Sequence, residues 1–267
     1  MVYIFDGRAF AATKEAKLKD KVSLLKRAGV TPKLVSIIVG DNRVSKLYLS
    51  LKRKAAKRVG AELEIKIFAK DTTVNQLINL IEKLNKEKSV NGIMIQLPLP
   101  ERFSKSDREE IINAIGPKKD VDGLREDSLY LAPTPKAVIE AIKIAELRIN
   151  NYRLRKVTVV GARGFVGEKI AKLLREKSYQ VIECNSRTKD LKLKTKKADI
   201  LISATGVPGL IKKEMIKKGA VVIDIGAPKG DVLFDDLVAK ASFITPVPGG
   251  IGPVTIVCLL ENLIEAC

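Results

Sequence analysis

Short, almost unbroken apolar runs alternate along this chain with stretches in which apolar residues recur every three or four positions. In the first half, "KLVSIIVG" (33–40), "ELEIKIFA" (62–69) and "VNGIMIQLPLP" (90–100) predict strands, and helical periodicity covers about 43–59, 73–87 and 104–115. The second half repeats the pattern more tightly. Strands are predicted at "KVTVVG" (156–161), "QVIEC" (180–184), "ADILISA" (198–204) and "AVVIDIG" (220–226), with helices between several of them. Strands this apolar are expected to be buried on both faces of parallel sheets, so the fold class is α/β. A final apolar helix, "TIVCLLENLIEA", closes the chain, and no fixed-period repeat is present.

Two irregular segments interrupt this order. "IGPKKDVDGLREDSLYLAPTPKAVIEAI" (115–142) is a long polar connection with three prolines, and Pro133, Thr134 and Pro135 mark a helix entry at its end. Loops of this length in compact proteins are more often functional than idle. "TPVPGGIGPVT" (245–255) packs three prolines and three glycines in front of the last helix. It is either a sharp connector or a loop whose bare main chain approaches a ligand.

A chain of 267 residues with 46% hydrophobic content accommodates one large domain or two smaller ones. No segment approaches the ~18 apolar residues of a membrane span, and "MVYIFDGRAF" meets Asp6 too early to form a secretory signal. Cys184, Cys258 and Cys267 lack CxxC spacing, which argues against a disulfide framework and a zinc site; no metal is expected, and a reduced cytoplasm fits. The chain has no histidine, so Ser-His-Asp and Cys-His machinery is excluded and acid–base work falls to Lys, Asp, Glu, Tyr or Cys. The formal charge of +18 is spread among acids, as in "KRKAAKRVGAELEIK", and aromatics are 4%. That pattern reads as a solvated surface that steers anionic small molecules, rather than as a nucleic-acid-binding face.

Candidate chemistry follows the strands. "KVTVVG" runs into Gly161, Gly164 and Gly167 and then a helix, the place where a dinucleotide pyrophosphate meets free backbone N–H groups; a merely tight turn is the plainer reading. After Cys184 come Ser186, Arg187 and Thr188, a set suited to the 2′-phosphate of NADP, although Glu183 nearby would suit NAD. In the helix at 43–59, Val44, Leu47, Leu51, Ala55 and Val59 are expected to form the buried stripe, with Tyr48 and Lys52 at its edge. A lysine against apolar walls loses hydration and becomes a usable acid–base group; an exposed lysine is the ordinary alternative. Gln96 sits at the carboxyl end of a predicted strand, where ligands of α/β sheets bind. Asp120 and Asp122 add carboxylates to the long loop, or simply form an Asp-Gly turn.

In order, "VGDNRVSKLYLSLKRKAA", "GIMIQLPLP", "PKKDVDGL", "VVGARGFVG", "NSRTKDL", "ADILISATGVPG", "VVIDIG" and "TPVPGGIGPVT" resemble the bifunctional methylenetetrahydrofolate dehydrogenase/methenyltetrahydrofolate cyclohydrolase family over nearly the whole chain. The resemblance implies two α/β domains around a cleft, the second a Rossmann-type parallel sheet. Residues 1–120 would form the folate-binding domain, rejoined by the helix 253–267, and 121–252 the NAD(P)-binding domain, with the boundary inside 115–142. It further implies a cytoplasmic homodimer of one-carbon metabolism, without nucleic-acid or membrane partners. NADP, or alternatively NAD, would oxidise the tetrahydrofolate derivative before its hydrolysis to 10-formyltetrahydrofolate.

Carried over by position, Lys52 is the acid–base residue, Gln96 positions it, Tyr48 stacks near the substrate rings, and Asp122 grips the pterin edge with Asp120 beside it. Pro248, Gly249 and Gly250 line the substrate site with backbone. The cofactor would contact Gly161, Ala162, Arg163, Gly164, Gly167, Ser186, Arg187, Thr188, Thr205, Gly206 and Ile225. The chain departs from the family's usual G-R-S-x-x-V-G-x-P: Ala162 stands where the arginine is expected, Lys169 replaces the proline, and Asn185 replaces a common histidine. Arg163 or Arg187 then inherits the 2′-phosphate. Two other readings compete, a shikimate-type dehydrogenase of the same architecture and a basic nucleic-acid-binding module.

Overall fold

The computed structural model describes residues 2–149 and 154–267 and, for residues 43 and 44, the backbone alone. In chain order the first half contains β1 (Tyr3–Ile4), α1 (Gly7–Arg27), β2 (Lys33–Val39), α2 (Arg43–Val59), β3 (Glu62–Phe68), α3 (Val74–Lys86), β4 (Gly92–Ile95) and α4 (Lys105–Asn113). The second half contains α5 (Pro133–Ile149), β5 (Lys156–Val160), α6 (Phe165–Glu176), β6 (Gln180–Cys184), α7 (Leu191–Lys196), β7 (Ile200–Ser203), β8 (Val221–Asp224), α8 (Phe234–Val238), β9 (Phe243–Ile244) and α9 (Ile251–Glu265). The chain divides into two compact units, residues 12–133 with 256–267, and residues 1–11 with 134–255.

The unit holding residues 12–133 is built on a parallel three-stranded sheet, β3-β2-β4. On one face Val35, Ile37 and Val39 of β2 and Ile93 and Ile95 of β4 pack with Leu77, Ile81 and Leu84 of α3 and with Ile111 and Ile115. Alternation along a strand sends Ser36 and Met94, which are in register, to the opposite face. Local signals start the helices: Asn42 accepts from Ser45 N at 2.9 Å, and Thr73/Gln76 and Ser104/Asp107 form capping boxes on α3 and α4. Gly60, at φ 86°, ends α2 in the left-handed conformation that glycine tolerates best.

The second unit has an all-parallel six-stranded sheet in the order β1-β9-β8-β7-β5-β6. From β5 the chain moves outward to β6, then returns to the other side of β5 to lay down β7. The crevice at the carboxyl ends of β5 and β7 is therefore the topological switch point, where α/β sheets bind ligands. Gly161 leaves β5 there, and Ala204 leaves β7.

Several expectations are corrected. The two-residue pairing of Tyr3 and Ile4 with Phe243 and Ile244 ties the amino terminus to the six-stranded sheet. Residues 1–11 group with the second unit, and the change of unit after the long loop falls at 133/134, inside the expected interval 115–142. The strand expected at 90–100 stops at Ile95, because Pro98 and Pro100 cannot continue a ladder. The stripe on α2 is rotated. Leu47 and Leu51 are 56% and 42% exposed, while Ser45, Leu49, Lys52, Ala55, Ala56 and Val59 form the buried face; the side chain of Val44 lies outside the described residues.

The proline- and glycine-rich stretch winds tightly after β9. Gly250 N donates to Pro246 O at 2.8 Å, and Gly249 sits at φ 110°. A side chain at Gly7 would run into the carbonyl of Gly250. Gly7→Ala is therefore expected to lower the free energy of unfolding by about 1–3 kcal/mol, whereas Gly252→Ala, with open space around it, should be neutral or better. Denaturant midpoints of the two variants against the parent check this.

Candidate active site

α2 packs along the sheet beside β3, and Ala55 and Ala56 are buried on its covered face. One turn earlier Lys52 enters the same seam and is 9% exposed. Its Nζ lies 3.2 Å from Met94 Sδ and donates to Gln96 Oε1 at 3.2 Å. The Gln96 amide is oriented by its other end, since Nε2 donates to Leu97 O at 3.0 Å, while Gln96 N donates to Ile37 O at 2.8 Å. The carbonyl oxygen is thereby presented to the amine. Burial lowers the Lys52 pKa, and the negative charge of Asp122 acts in the opposite sense. Tyr48, one turn before Lys52, is half-buried, and burial raises its pKa. An amine that titrates below the usual lysine range, beside a fixed acceptor and a carboxylate, is equipped for proton transfer.

The connection between α4 and α5 is ordered by its own polar groups. Asp120 is wholly buried, and its two carboxylate oxygens accept from Leu124 N at 3.1 Å and Arg125 N at 2.9 Å. Arg125 in turn donates to Ile115 O at 3.0 Å and pairs with Asp127 at 2.7 Å. Asn262 of α9 clamps the loop from outside, donating to Val121 O and Leu131 O at 2.9 Å each. The Asp120 carboxylate thus helps to build the bend that carries Asp122.

In the other unit the three glycines have separate reasons. Gly161, at φ 88°, would drive a side chain into the Ala204 carbonyl, and one at Gly167 would collide with the Gly161 carbonyl. Gly164 precedes α6 with no side-chain cap, so first-turn N–H groups are left for an anion. This cradle fits a dinucleotide pyrophosphate. Ala162 is buried, whereas Arg163, Ser186 and Arg187 are exposed. Asn185 Oδ1 accepts from Arg187 N at 2.9 Å and Thr188 Oγ1 accepts from Asn185 N at 2.8 Å, shaping the turn after β6. Glu183 is engaged by Arg175 of α6, which occupies the acid that would favour NAD. Thr205 and Gly206 follow β7, and Ile225 follows β8, all on the carboxyl rim of the sheet. Pro248, Gly249 and Gly250 belong to this same unit.

Family models match both parts of the chain: the tetrahydrofolate dehydrogenase/cyclohydrolase catalytic domain over residues 5–122, and the NAD(P)-binding domain of the same family over residues 132–267. The chain belongs to this family. Bifunctional protein FolD of Exiguobacterium sibiricum is 40% identical over 281 residues, covering 100% of this chain and 99% of its own. The crystal structure of the bifunctional enzyme FolD from Campylobacter jejuni is 35% identical with a TM-score of 0.92, covering 100% and 98% of the two chains. A Trypanosoma brucei methylenetetrahydrofolate dehydrogenase-cyclohydrolase complexed with NADP and inhibitor is 33% identical with a TM-score of 0.91, covering 99% and 97%. Shikimate 5-dehydrogenase from Thermus thermophilus, at 17% identity and a TM-score of 0.52, shares the fold alone.

Against that family the site was only partly anticipated. Hydropathy marks Met94 only as a strand residue, yet its sulfur closes the lysine seam; its phase opposite Ile93 and Ile95 in "GIMI" is the available signal. Asp224 and Asp231, buried carboxyls on the rim of the larger sheet, were not singled out at all. The electrostatics of Lys52 are open to direct measurement. In NMR of lysine-labelled protein, the Lys52 side-chain resonance, assigned by its loss in Lys52→Met, is expected to titrate below the bulk of the lysines. Asp122→Asn removes the opposing charge, so the midpoint should fall further; an unchanged or higher midpoint contradicts the assignment.

Proposed function

We propose that this family member oxidises 5,10-methylenetetrahydrofolate to the 5,10-methenyl compound with NADP and then hydrolyses it to 10-formyltetrahydrofolate. The observation that carries the reading is the buried amine of Lys52, held by Gln96 and influenced by Asp122. NADP, when bound, supplies the hydride acceptor. The residues of the chain bind and orient: the Gly161–Gly167 turn takes the pyrophosphate, Arg163 and Arg187 provide positive charge for a 2′-phosphate, and Pro248, Gly249 and Gly250 offer substrate a surface without bulky side chains.

For the hydrolytic step, the neutral Lys52 amine accepts a proton as water adds to the methenyl carbon. The resulting ammonium returns that proton to the ring nitrogen as its bond to the carbon breaks, while the new hydroxyl on the carbon loses its proton to solvent, which leaves the formyl group on N10 and releases one proton overall. Lowering the lysine pKa serves both halves, since the amine must be available as a base and the ammonium must be a competent acid. Asp122 stabilises the ammonium and contacts the polar pterin edge, and Tyr48 packs against the substrate rings.

The reading extends to assembly and place. β3 is an edge strand with Ile67 65% exposed. Antiparallel pairing of two copies about Ile65 would set Glu64 of each opposite Lys66 of the other and Leu63 opposite Ile67, a self-complementary edge suited to a two-fold homodimer. Among the described residues no helix is long and apolar enough to cross a membrane, which is compatible with a cytoplasmic enzyme.

Initial rates with NADP and NAD, following reduced cofactor and methenyl intermediate separately, test the function. The parent should reduce NADP in preference to NAD, and Lys52→Met should lose cyclohydrolase activity by about a hundredfold or more while remaining folded. A mutant that hydrolyses the methenyl compound at the parent rate removes Lys52 from the mechanism. For assembly, light scattering should give a dimer that Glu64→Lys weakens by about tenfold or more and that the double exchange with Lys66→Glu restores.

A further inference from the structure

The six-stranded unit buries two carboxyl groups that the mechanism above does not use. Asp231, 0% exposed, follows the short turn after β8, and Asp224, 1% exposed, ends that strand. One carboxylate oxygen of Asp231, Oδ2, accepts from Ser203 Oγ at 2.8 Å, Thr205 N at 2.7 Å and Thr205 Oγ1 at 2.8 Å. The other, Oδ1, is buried without a hydrogen-bond partner. Asp224 accepts from Gly226 N at 2.8 Å and from Asp231 N and Val232 N at 3.1 Å each. Side chains at Gly226 and Gly230 would strike the carboxyl oxygens of Asp231 and Asp224 respectively. The two acids therefore lie flat against bare backbone.

Such an arrangement is costly. A buried carboxylate with one oxygen unsatisfied and another carboxyl nearby stabilises the fold poorly, and burial together with the charge of Asp231 raises the pKa of Asp224. Buried unsatisfied groups of this kind call for an explanation beyond folding. The explanation lies in what the two acids join. Thr205 opens the turn after β7, whose preceding carbonyl, that of Ala204, is the atom against which Gly161 packs. Asp224 N–H donates to Thr245 Oγ1 at 2.8 Å, and its carboxylate holds Gly226, next to Ile225.

We propose that Asp231 is a positioning residue for the dehydrogenase step: its carboxylate locks the Thr205–Gly206 turn to the segment that Asp224 closes around Ile225 and Gly226, fixing two stretches of rim backbone against which the dinucleotide lies. This rests on the reading that these turns hold NADP. Asp231 touches neither cofactor nor substrate in this account; it acts through Thr205. Hydrolysis of methenyltetrahydrofolate, which needs no dinucleotide, supplies the internal control.

The test uses the full-length protein and Asp231→Asn, with NADP affinity measured by titration calorimetry beside dehydrogenase and cyclohydrolase rates. The expected result is NADP affinity weaker by about fivefold or more, a KM for NADP raised in step, and a cyclohydrolase rate close to that of the parent. Thr205→Val should follow Asp231→Asn, and Thr205→Ser, which keeps the hydroxyl, should return toward the parent. If Asp231→Asn does not fold, Ser203→Ala, which removes one donor outside the turn, is expected to weaken NADP binding in the same direction. Unchanged NADP affinity in the folded variants overturns the inference, as does a parallel loss of cyclohydrolase activity, which would make Asp231 part of the general scaffold. A parent that binds no NADP overturns the underlying reading and the inference with it.

Discussion

An amine can be kept inside a helix–sheet seam only if its charge is negotiable and its hydrogens have acceptors. Lys52 meets both conditions, and much of its unit is arranged around them. Ala55 and Ala56 bury the helix face next to Lys52, β4 ends at Ile95 so that Gln96 can turn its amide toward the amine, and Met94 offers a soft, weakly accepting wall in place of water. The helix direction is fixed at both ends by Asn42 and Gly60. Each of these is a local choice, but together they determine where one nitrogen atom sits.

The same logic operates in the six-stranded unit with the opposite charge. Parallel strands end together, so whatever follows them gathers along one rim. Loops without side chains there, such as Gly161, give a phosphate access to N–H groups, but they also lack the packing that would hold them still. Hydrogen bonds from Ser203 and Thr205 to a buried carboxylate supply that rigidity from beneath. The rim is thus bare where a ligand must approach and strongly bonded one layer below.

Legibility in the sequence followed the strength of the physical signal. Strands buried on both faces announce themselves as unbroken apolar runs, as β2, β5, β7 and β8 do, and the partly exposed edge strands β3 and β6 also fall inside predicted segments. β1 and β9 contribute two residues each, too few for any periodicity, and their pairing is a long-range fact. The helix α2 was evident, but its buried face was not. Leu47 and Leu51 outline one stripe, while Leu49, Ala56 and Val59 outline another, and hydropathy favours the first because the true face contains Ser45 and Lys52. A functional site spoils the pattern that would reveal it. Asp120 is readable as turn or ligand in the sequence; the backbone N–H groups that its two oxygens accept from become visible only in three dimensions. Asp231, in "KGDVLF", looks like any acid after a glycine; only its three-dimensional neighbours distinguish it.

Cofactor charge illustrates how a departure in one position constrains the rest. Ala162 brings no charge to the turn after β5, and it is buried there. A 2′-phosphate still requires cations, and exposed guanidinium groups are available at Arg163 and Arg187, neither of which is in an ion pair among the described residues. Arg175 cannot serve equally well, because it already neutralises Glu183. That pairing has two consequences in the same direction: it occupies the carboxylate that would recognise a free ribose 2′-hydroxyl, and it reduces the repulsion that carboxylate would exert on a phosphate. The ion pair is solvent-exposed and therefore worth little to stability. For the proposed NADP cofactor its weight falls instead on selectivity, where removing one wrongly placed negative charge can matter as much as adding a positive one.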